Sequence, residues 1–276
     1  MKKSNILLVA FFGFNLISCT DEPVDFQQET GELIEVEERN YEGGEIESVS
    51  ITKFNDQRPQ MVTEYDASGE VFSIARLSYN AADLLVSIKV SSTDGIVFYE
   101  EGFTYDNANR IIQTTVSASD EDYFQTNNFT YNPNATITSS TEIDGEIFSK
   151  TFVLNPNSII TREIEDGEVI YSVEFNNLLP ISKTNFGNTS TFSYLEEGSE
   201  SYAFVNYFGG NPNNVVLYYN DLGLAVDQFT DKLISKIESN FMTEEYEYTL
   251  NGDGFPLTKK YYVDGELSKE SIYTYK

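Results

Sequence analysis

From residue 33 to 276 the chain alternates apolar and polar positions with a period of two. Val97, Tyr99, Glu101, Phe103 and Tyr105 share one largely aromatic face, and Glu100, Gly102 and Thr104 share the other. Val169, Tyr171, Val173 and Phe175 face away from Ile170, Ser172 and Glu174, and Leu84, Val86, Ile88 and Val90 alternate with Leu85, Ser87, Lys89 and Ser91. Successive strand residues point to opposite faces, so the pattern predicts antiparallel strands with one apolar and one wet face. Segment 224–240 departs from it. There Phe229, Leu233 and Ile237 recur every four residues behind a possible Thr230 cap, which fits a short helix. The preferred reading is a strand over 233–239 after a long loop.

Two classes of turn punctuate the strands. An aromatic or Leu followed by Asn or Asp occurs at Phe54-Asn55, Tyr79-Asn80, Tyr105-Asp106, Tyr131-Asn132, Leu154-Asn155, Phe175-Asn176, Tyr219-Asn220 and Leu250-Asn251. Tyr194 is a degenerate copy, and Tyr275 begins one at the end of the chain. The spacing stays near 25 residues, the mark of a repeat. Between these units fall Gly43-Gly44, Ser68-Gly69, Asp94-Gly95, Asp144-Gly145, Asp166-Gly167, Gly187-Asn188 and Asp264-Gly265. Such pairs supply the positive φ angles of tight hairpin turns. The two classes alternate, so they gather at opposite rims of an up-and-down meander of about 20 strands, one hairpin per repeat. Residues 33–276 form one all-β domain on this reading.

Composition narrows the function. Of 276 residues, 45 are Asp or Glu and 17 are Lys or Arg, for a net charge of −28. Nucleic-acid binding needs a basic surface, and an anionic leaflet would repel this one. There is no His and one Cys, which removes Ser-His-Asp and Cys-His catalysis, His-containing zinc sites and intrachain disulfides. A hydrophobic content of 40%, with 19 Tyr and 20 Phe, suffices for a packed core.

Lys2 and Lys3 precede an apolar run over 6–17, too short for a transmembrane helix and the right length for a secretory signal. Leu16-Ile17-Ser18-Cys19 resembles the lipobox of bacterial lipoproteins. The resemblance implies cleavage after Ser18, a signal peptide over 1–18, and acylation of Cys19, which would hold the chain to a membrane. Several acyl chains anchor durably, at about 0.8 kcal/mol per buried methylene. The alternative is an ordinary cleaved signal with a chance Cys. Residues 19–32 are polar and acidic and read as a flexible tether. Asp21 and Glu22 behind Cys19 resemble the surface-export signal of some Gram-negative lipoproteins. That implies an outer-membrane lipoprotein at the cell surface rather than the periplasmic face, although any acidic linker has this composition. A porin strand shows a similar alternation; acyl anchoring would make barrel-spanning redundant.

The run Phe103-Thr104-Tyr105-Asp106-Asn107-Ala108-Asn109-Arg110-Ile111 resembles the YD repeat of large Rhs-type bacterial proteins. Phe129-Thr130-Tyr131-Asn132 and Tyr246-Glu247-Tyr248 with Gly254 and Phe255 are looser copies. Together with the lipobox and the closing Tyr273-Thr274-Tyr275, the pattern is more similar to a family of uncharacterised Gram-negative lipoproteins with a porin-like β fold. The resemblance implies a curled or flattened barrel-like sheet, with an open spiral shell as the alternative, and it implies no chemistry. About 20 strands would close into a barrel roughly 40 Å across, which side chains alone cannot fill.

No residue pattern marks a catalytic, cofactor or metal site. Glu100 with Glu101, Asp120 with Asp122, and Glu244 with Glu245 are carboxylate pairs that a glycosidase could use, but 45 acidic residues make pairs by chance. Asn251-Gly252-Asp253-Gly254 starts like a calcium loop, yet Tyr262 stands where the twelfth-position Glu would be, so it reads as a repeat turn. Gly209-Gly210-Asn211-Pro212-Asn213 lacks the Lys of a phosphate loop and reads as a hairpin loop. The Tyr and Phe stripes read as core, with some lining a groove for flat ligands. The expectation is a non-enzymatic binding lipoprotein for an unknown ligand or envelope partner, with no cofactor. The alternatives are a structural shell around another polypeptide and, third, a carboxylate-dependent hydrolase.

Overall fold

The computed structural model describes residues 32–119, 123–143, 145–176, 179–199, 213, 214, 217 and 232–276. The alternating segments form strands β1 (Leu33–Glu42), β2 (Glu45–Asn55), β3 (Arg58–Asp66), β4 (Val71–Tyr79), β5 (Leu85–Ser91) and β6 (Val97–Tyr105). They continue as β7 (Ile111–Ala118), β8 (Tyr123–Asn132), β9 (Thr136–Ile143), β10 (Glu146–Leu154), β11 (Ile160–Glu165) and β12 (Glu168–Asn176). The last six are β13 (Leu179–Asn185), β14 (Asn188–Tyr194), β15 (Ile234–Ser239), β16 (Thr243–Leu250), β17 (Pro256–Val263) and β18 (Glu266–Tyr275).

Each strand pairs antiparallel with its sequence neighbours, and β1 pairs with both β2 and β18, so the meander closes into a barrel of 18 strands. The seam is made by Val36 opposite Tyr273, and the Lys276 amide donates to the Glu32 carbonyl at 2.9 Å. Closure leaves none of the described strands with an edge open to another chain. The barrel-like sheet expected from the sequence is therefore a closed barrel, and the alternative of an open spiral shell is not what forms. In the ambiguous segment the strand reading holds, as β15 begins at Ile234; Phe229 and Thr230 lie outside the described residues.

The turn chemistry explains the repeat. Asn80 Oδ1 accepts the amides of Ala82 and Leu84, at 2.9 and 3.0 Å. Asp106, Asn155 and Asn251 do the same for the amides two and four residues ahead. The fourth turn residue is left-handed each time: Asp83, Asn109, Ser158 and Gly254 have φ of 62, 58, 61 and 85°. A short polar side chain that pins its own turn is the reason for Asn or Asp at this point. Five residues after the Asn or Asp, a buried residue opens the next strand at Leu85, Ile111, Ile160 and Pro256, and Ile137, five after Asn132, is the second residue of β9. The preceding tyrosines reach back to carbonyls at these strand starts. Tyr79 donates to Pro59, Tyr105 to Leu85 and Tyr131 to Ile111, at 2.9, 2.5 and 2.9 Å. Tyr194 and Tyr275 donate to Pro180 and Pro256 at 2.6 and 2.7 Å. Tyr194 thus holds a full repeat position although its sequence looks degenerate, and Tyr219-Asn220 lies outside the described residues.

At the other rim Asp66 pins the amides of Ser68 and Glu70 in the same way, and four turns are tighter. Gly43-Gly44, Asp166-Gly167, Phe186-Gly187 and Asp264-Gly265 all have two consecutive positive φ angles, as two-residue loops matched to strand twist require. The β13–β14 turn is thus centred on Phe186-Gly187, one residue before the Gly187-Asn188 expected from sequence.

Inward positions follow the register: Val36, Thr52, Val62, Ala75, Val90 and Tyr99 line one row across β1 to β6. The main core joins Leu85, Ile111, Ile137, Phe152, Ile160 and Leu217, among others, and a smaller cluster of Leu33, Val36, Phe54, Tyr273 and Tyr275 packs the seam. The outer wall is polar. Lys89 meets Glu100 at 2.9 Å, Gln113 donates to Asn128 at 2.9 Å, and Tyr262 donates to Glu247 at 3.0 Å. A transmembrane barrel carries an outward apolar band about 25 Å tall, which such charged and amide pairs interrupt. Among the described residues, no helix is long and apolar enough to cross a membrane.

Candidate functional site: the barrel interior

The interior changes character along its axis. At the rim of the Asn and Asp turns it is apolar, and Asn213, Asn214 and Leu217, from between β14 and β15, are buried against it. Asn213, Asn214 and Leu217 are helical and buried, at three- and four-residue spacing that puts them on one face. Asn214 Oδ1 accepts the Ile111 amide at 2.9 Å while its Nδ2 donates to the Asn109 carbonyl at 2.8 Å. Asn213 repeats the arrangement on the Ile160 amide and the Ser158 carbonyl, both at 2.8 Å. Each carboxamide thereby satisfies a donor and an acceptor at the end of one hairpin turn. Asn213 was expected in a hairpin loop; it is instead helical and buried, and 209–212 lie outside the described residues.

Farther along the barrel the inward residues are polar. Asn127 donates to Thr114 and accepts from Thr141 and Gln125, at 2.9, 2.7 and 2.9 Å. Glu163, fully buried, pairs with Lys150 at 2.6 Å across the β10–β11 ladder. Tyr99 donates to Glu101, and Ser73 donates to Glu64. Burial raises the Glu64 carboxyl, and the Ser73 hydrogen bond only partly offsets it. Tyr79, Tyr105 and Tyr131 are all raised by burial, which keeps their hydroxyls protonated as donors. Tyr99 is raised by burial and by the Glu101 carboxylate.

One wall combines rings with charge. The Tyr246 and Tyr261 ring centroids lie 5.1 Å apart, and both hydroxyls donate to Glu244, at 3.2 and 3.1 Å. The Lys259 ammonium sits over the Tyr246 and Tyr248 rings, 5.5 and 5.7 Å from their centroids. Lys183 lies over Phe192 on the same wall. Cation–ring contacts hold an ammonium without neutralising its charge. The resulting surface presents flat apolar faces, a carboxylate and ammonium groups together.

The carboxylate pairs do not come together. Adjacent strand residues face opposite ways: Glu100 points outward to Lys89, and Glu101 inward to Tyr99. Glu244 faces inward with the tyrosines, so Glu245 faces the outer side. Asp120 and Asp122 lie outside the described residues, as do Cys19 and the segments 1–18 and 19–31. Asn251-Gly252-Asp253-Gly254 is a turn of the repeat type. Of the aromatic stripes, Phe103, Phe129, Phe152 and Tyr171 are core, and Tyr246 and Tyr261 are half-buried. Asn213, Asn214 and the Lys150–Glu163 pair were not foreseen. The Asn213-Asn214 step directly before Val215-Val216-Leu217 was the available signal for the first two.

No protein-family model matches the chain, and no curated protein does. Among solved structures it is similar to a porin-like protein from Bacteroides uniformis ATCC 8492, at 12% identity and a TM-score of 0.48, covering 88% of this chain and 98% of that one. It is also similar to the TcdB2-TccC3-TEV structure, at 10% identity and a TM-score of 0.37. That match covers 79% of this chain and only 12% of the larger one. A Photorhabdus luminescens Tc holotoxin pore matches at 8% identity and a TM-score of 0.24, over 80% of this chain and 14% of that one.

Proposed function

We propose that the chain is a lipoprotein, acylated at Cys19 and exposed on the outer membrane of a Gram-negative cell, whose barrel interior binds a ligand without turning it over. The observation that carries the binding role is the wall of Tyr246, Tyr248, Tyr261, Glu244 and Lys259. Aromatic faces stack on the apolar sides of sugar-like rings, while the carboxylate and ammonium engage hydroxyls and charges at the ring edge. A glycan array probed with the purified chain is the direct test. Saturable binding lost in Tyr261→Ala, with the ligand recovered unchanged, supports the reading; an array without hits, or conversion of a bound glycan, overturns it. Anchoring has its own measurement, since incorporation of labelled palmitate should disappear in Cys19→Ala.

A structural shell is the second reading, favoured by one feature. The barrel already wraps polypeptide, because Asn213, Asn214 and Leu217 are buried inside it. A stoichiometric protein co-purifying with the native chain would favour the shell over the binding module.

A further inference from the structure

The row of inward side chains that crosses the barrel seam runs from the tyrosine wall into an acidic stretch. Tyr248 stands opposite Lys259, Lys259 opposite Ser271, Ser271 opposite Glu38, Glu38 opposite Ser50, and Ser50 opposite Glu64. Ser50 is fully buried, and Glu38 and Glu64 on either side of it are half-buried. Among the described residues each of these carboxylates has only a hydroxyl for a partner: Ser271 donates to Glu38 at 3.2 Å, and Ser73 donates to Glu64. The Ser50 hydroxyl between them has no hydrogen-bond partner among the described residues.

Elsewhere inside the barrel a buried acid has its base. Glu163 meets Lys150 across the β10–β11 ladder, whereas neither Glu38 nor Glu64 pairs with a Lys or Arg among the described residues. Burial holds the Glu64 carboxyl above its ordinary value, as expected of an acid with no cation beside it. Uncompensated inward acids and a buried hydroxyl without a partner are costs that stability alone would remove. A bound cation with several donors offsets both.

The donor set selects the cation. Calcium takes about 6–8 oxygen ligands, and among the described residues no three acidic, His or Cys side chains group to hold a metal ion. A primary ammonium instead donates from each of its N–H bonds, and Glu38, Ser50 and Glu64 supply one acceptor apiece. From Lys259 to Ser50 is three strand steps, about 14 Å at a spacing of roughly 4.8 Å. An occupant of both the rings and the acids is therefore longer than one sugar. We infer that Glu38, Ser50 and Glu64 form an ammonium subsite continuous with the tyrosine wall, so that the ligand is an amino-sugar oligomer with free amines; this rests on the binding role proposed above.

The test titrates the full chain calorimetrically with a glucosamine pentamer and with its N-acetylated counterpart, at about 150 mM salt to screen exposed charge. The free-amine oligomer should bind at least tenfold tighter. Glu38→Gln with Glu64→Gln should bring it down to the affinity of the acetylated oligomer and leave the latter unchanged. Glu142→Gln with Glu174→Gln removes the same charge from exposed outer positions and should change neither. Glu64→Gln alone should weaken amine binding while raising the melting temperature, which separates a binding role from a structural one. Equal affinity for the two oligomers overturns the ammonium subsite and leaves the binding role standing, and binding of neither overturns both. Amine binding that needs Glu38 and Glu64 but survives Tyr261→Ala keeps the subsite and removes the tyrosine wall. Amine binding that falls as far in the outer variant, or calcium bound alone through Glu38 and Glu64, overturns the inference.

Discussion

The repeat is written in single residues whose physical duties differ. A left-handed φ costs a side-chain-bearing residue roughly 1–2 kcal/mol, and glycine avoids this at the expense of unfolded-state entropy. Gly254 takes that position in the Asn251 turn, whereas Ser158 takes it in the Asn155 turn at φ 61°. Ser158→Gly keeps the carbonyl that Asn213 uses. It should stabilise the barrel by up to about 1 kcal/mol, the difference between those two costs, as read from urea melts. Glu64 offers a test with pH. Its carboxyl is raised above the ordinary 4.5 by burial, so the folded state holds the proton more tightly than the unfolded state does. Stability from this group therefore falls as pH rises through and above 4.5. Glu64→Gln should raise the melting temperature at pH 7, and the gain should shrink as pH approaches 4.5. A gain that persists unchanged at low pH would mean that the glutamine acts through packing alone.

At the scale of the element, the informative contrast lies between hairpins, which the sequence announces, and the buried Asn213, Asn214 and Leu217 between β14 and β15, which it does not. Period-two alternation and turn pairs are local signals, so the strands, their direction and the two rims were legible. The described residues hold 18 strands against the about 20 expected from the repeat spacing. Leu195 and Leu233, which bracket the segment between β14 and β15, are joined by a 2.9 Å amide-to-carbonyl bond, so it leaves and re-enters the sheet at one place. Its buried asparagines are where polar atoms carry fold specificity. Asn214→Leu keeps volume but leaves the Ile111 amide and the Asn109 carbonyl without this partner. Each orphaned buried group costs about 1–3 kcal/mol, so a loss on the order of 3 kcal/mol is expected. Hydrogen exchange at the Ile111 amide should accelerate in the same variant; unchanged protection would show that the carboxamide is dispensable there.

Interior charge also escaped the sequence, because it depends on which strands become neighbours. Lys150 and Glu163 face inward on adjacent strands, and Glu163 is inaccessible to solvent. A carboxylate there without its ammonium costs about 3–5 kcal/mol, whereas removing both charges is close to neutral. Lys150→Met should therefore destabilise strongly, and adding Glu163→Gln should restore most of the loss. Two additive losses in denaturant melts would contradict the pairing.

On the scale of the whole molecule, closure is the property from which the others descend, because a meander of polar-faced hairpins has nothing to pack against until its ends meet. The ends do meet. β1 and β18 pair along seven positions, and the Lys276 amide bonds to the Glu32 carbonyl at 2.9 Å. A sequence shows the hairpins but not this joint, since no local signal tells the first strand that the last will lie beside it. Covalently joining residue 276 to residue 32 and reopening the chain at Gly43-Gly44, an exposed turn, preserves every strand pairing. Such a permutant, made without residues 1–31, should fold to the same far-UV spectrum with a melting temperature near that of the parent. Opening the chain instead within β6, between Glu101 and Gly102, cuts two ladders at the core and should abolish cooperative melting. Equal behaviour of the two permutants would mean that the closed sheet is not the cooperative unit.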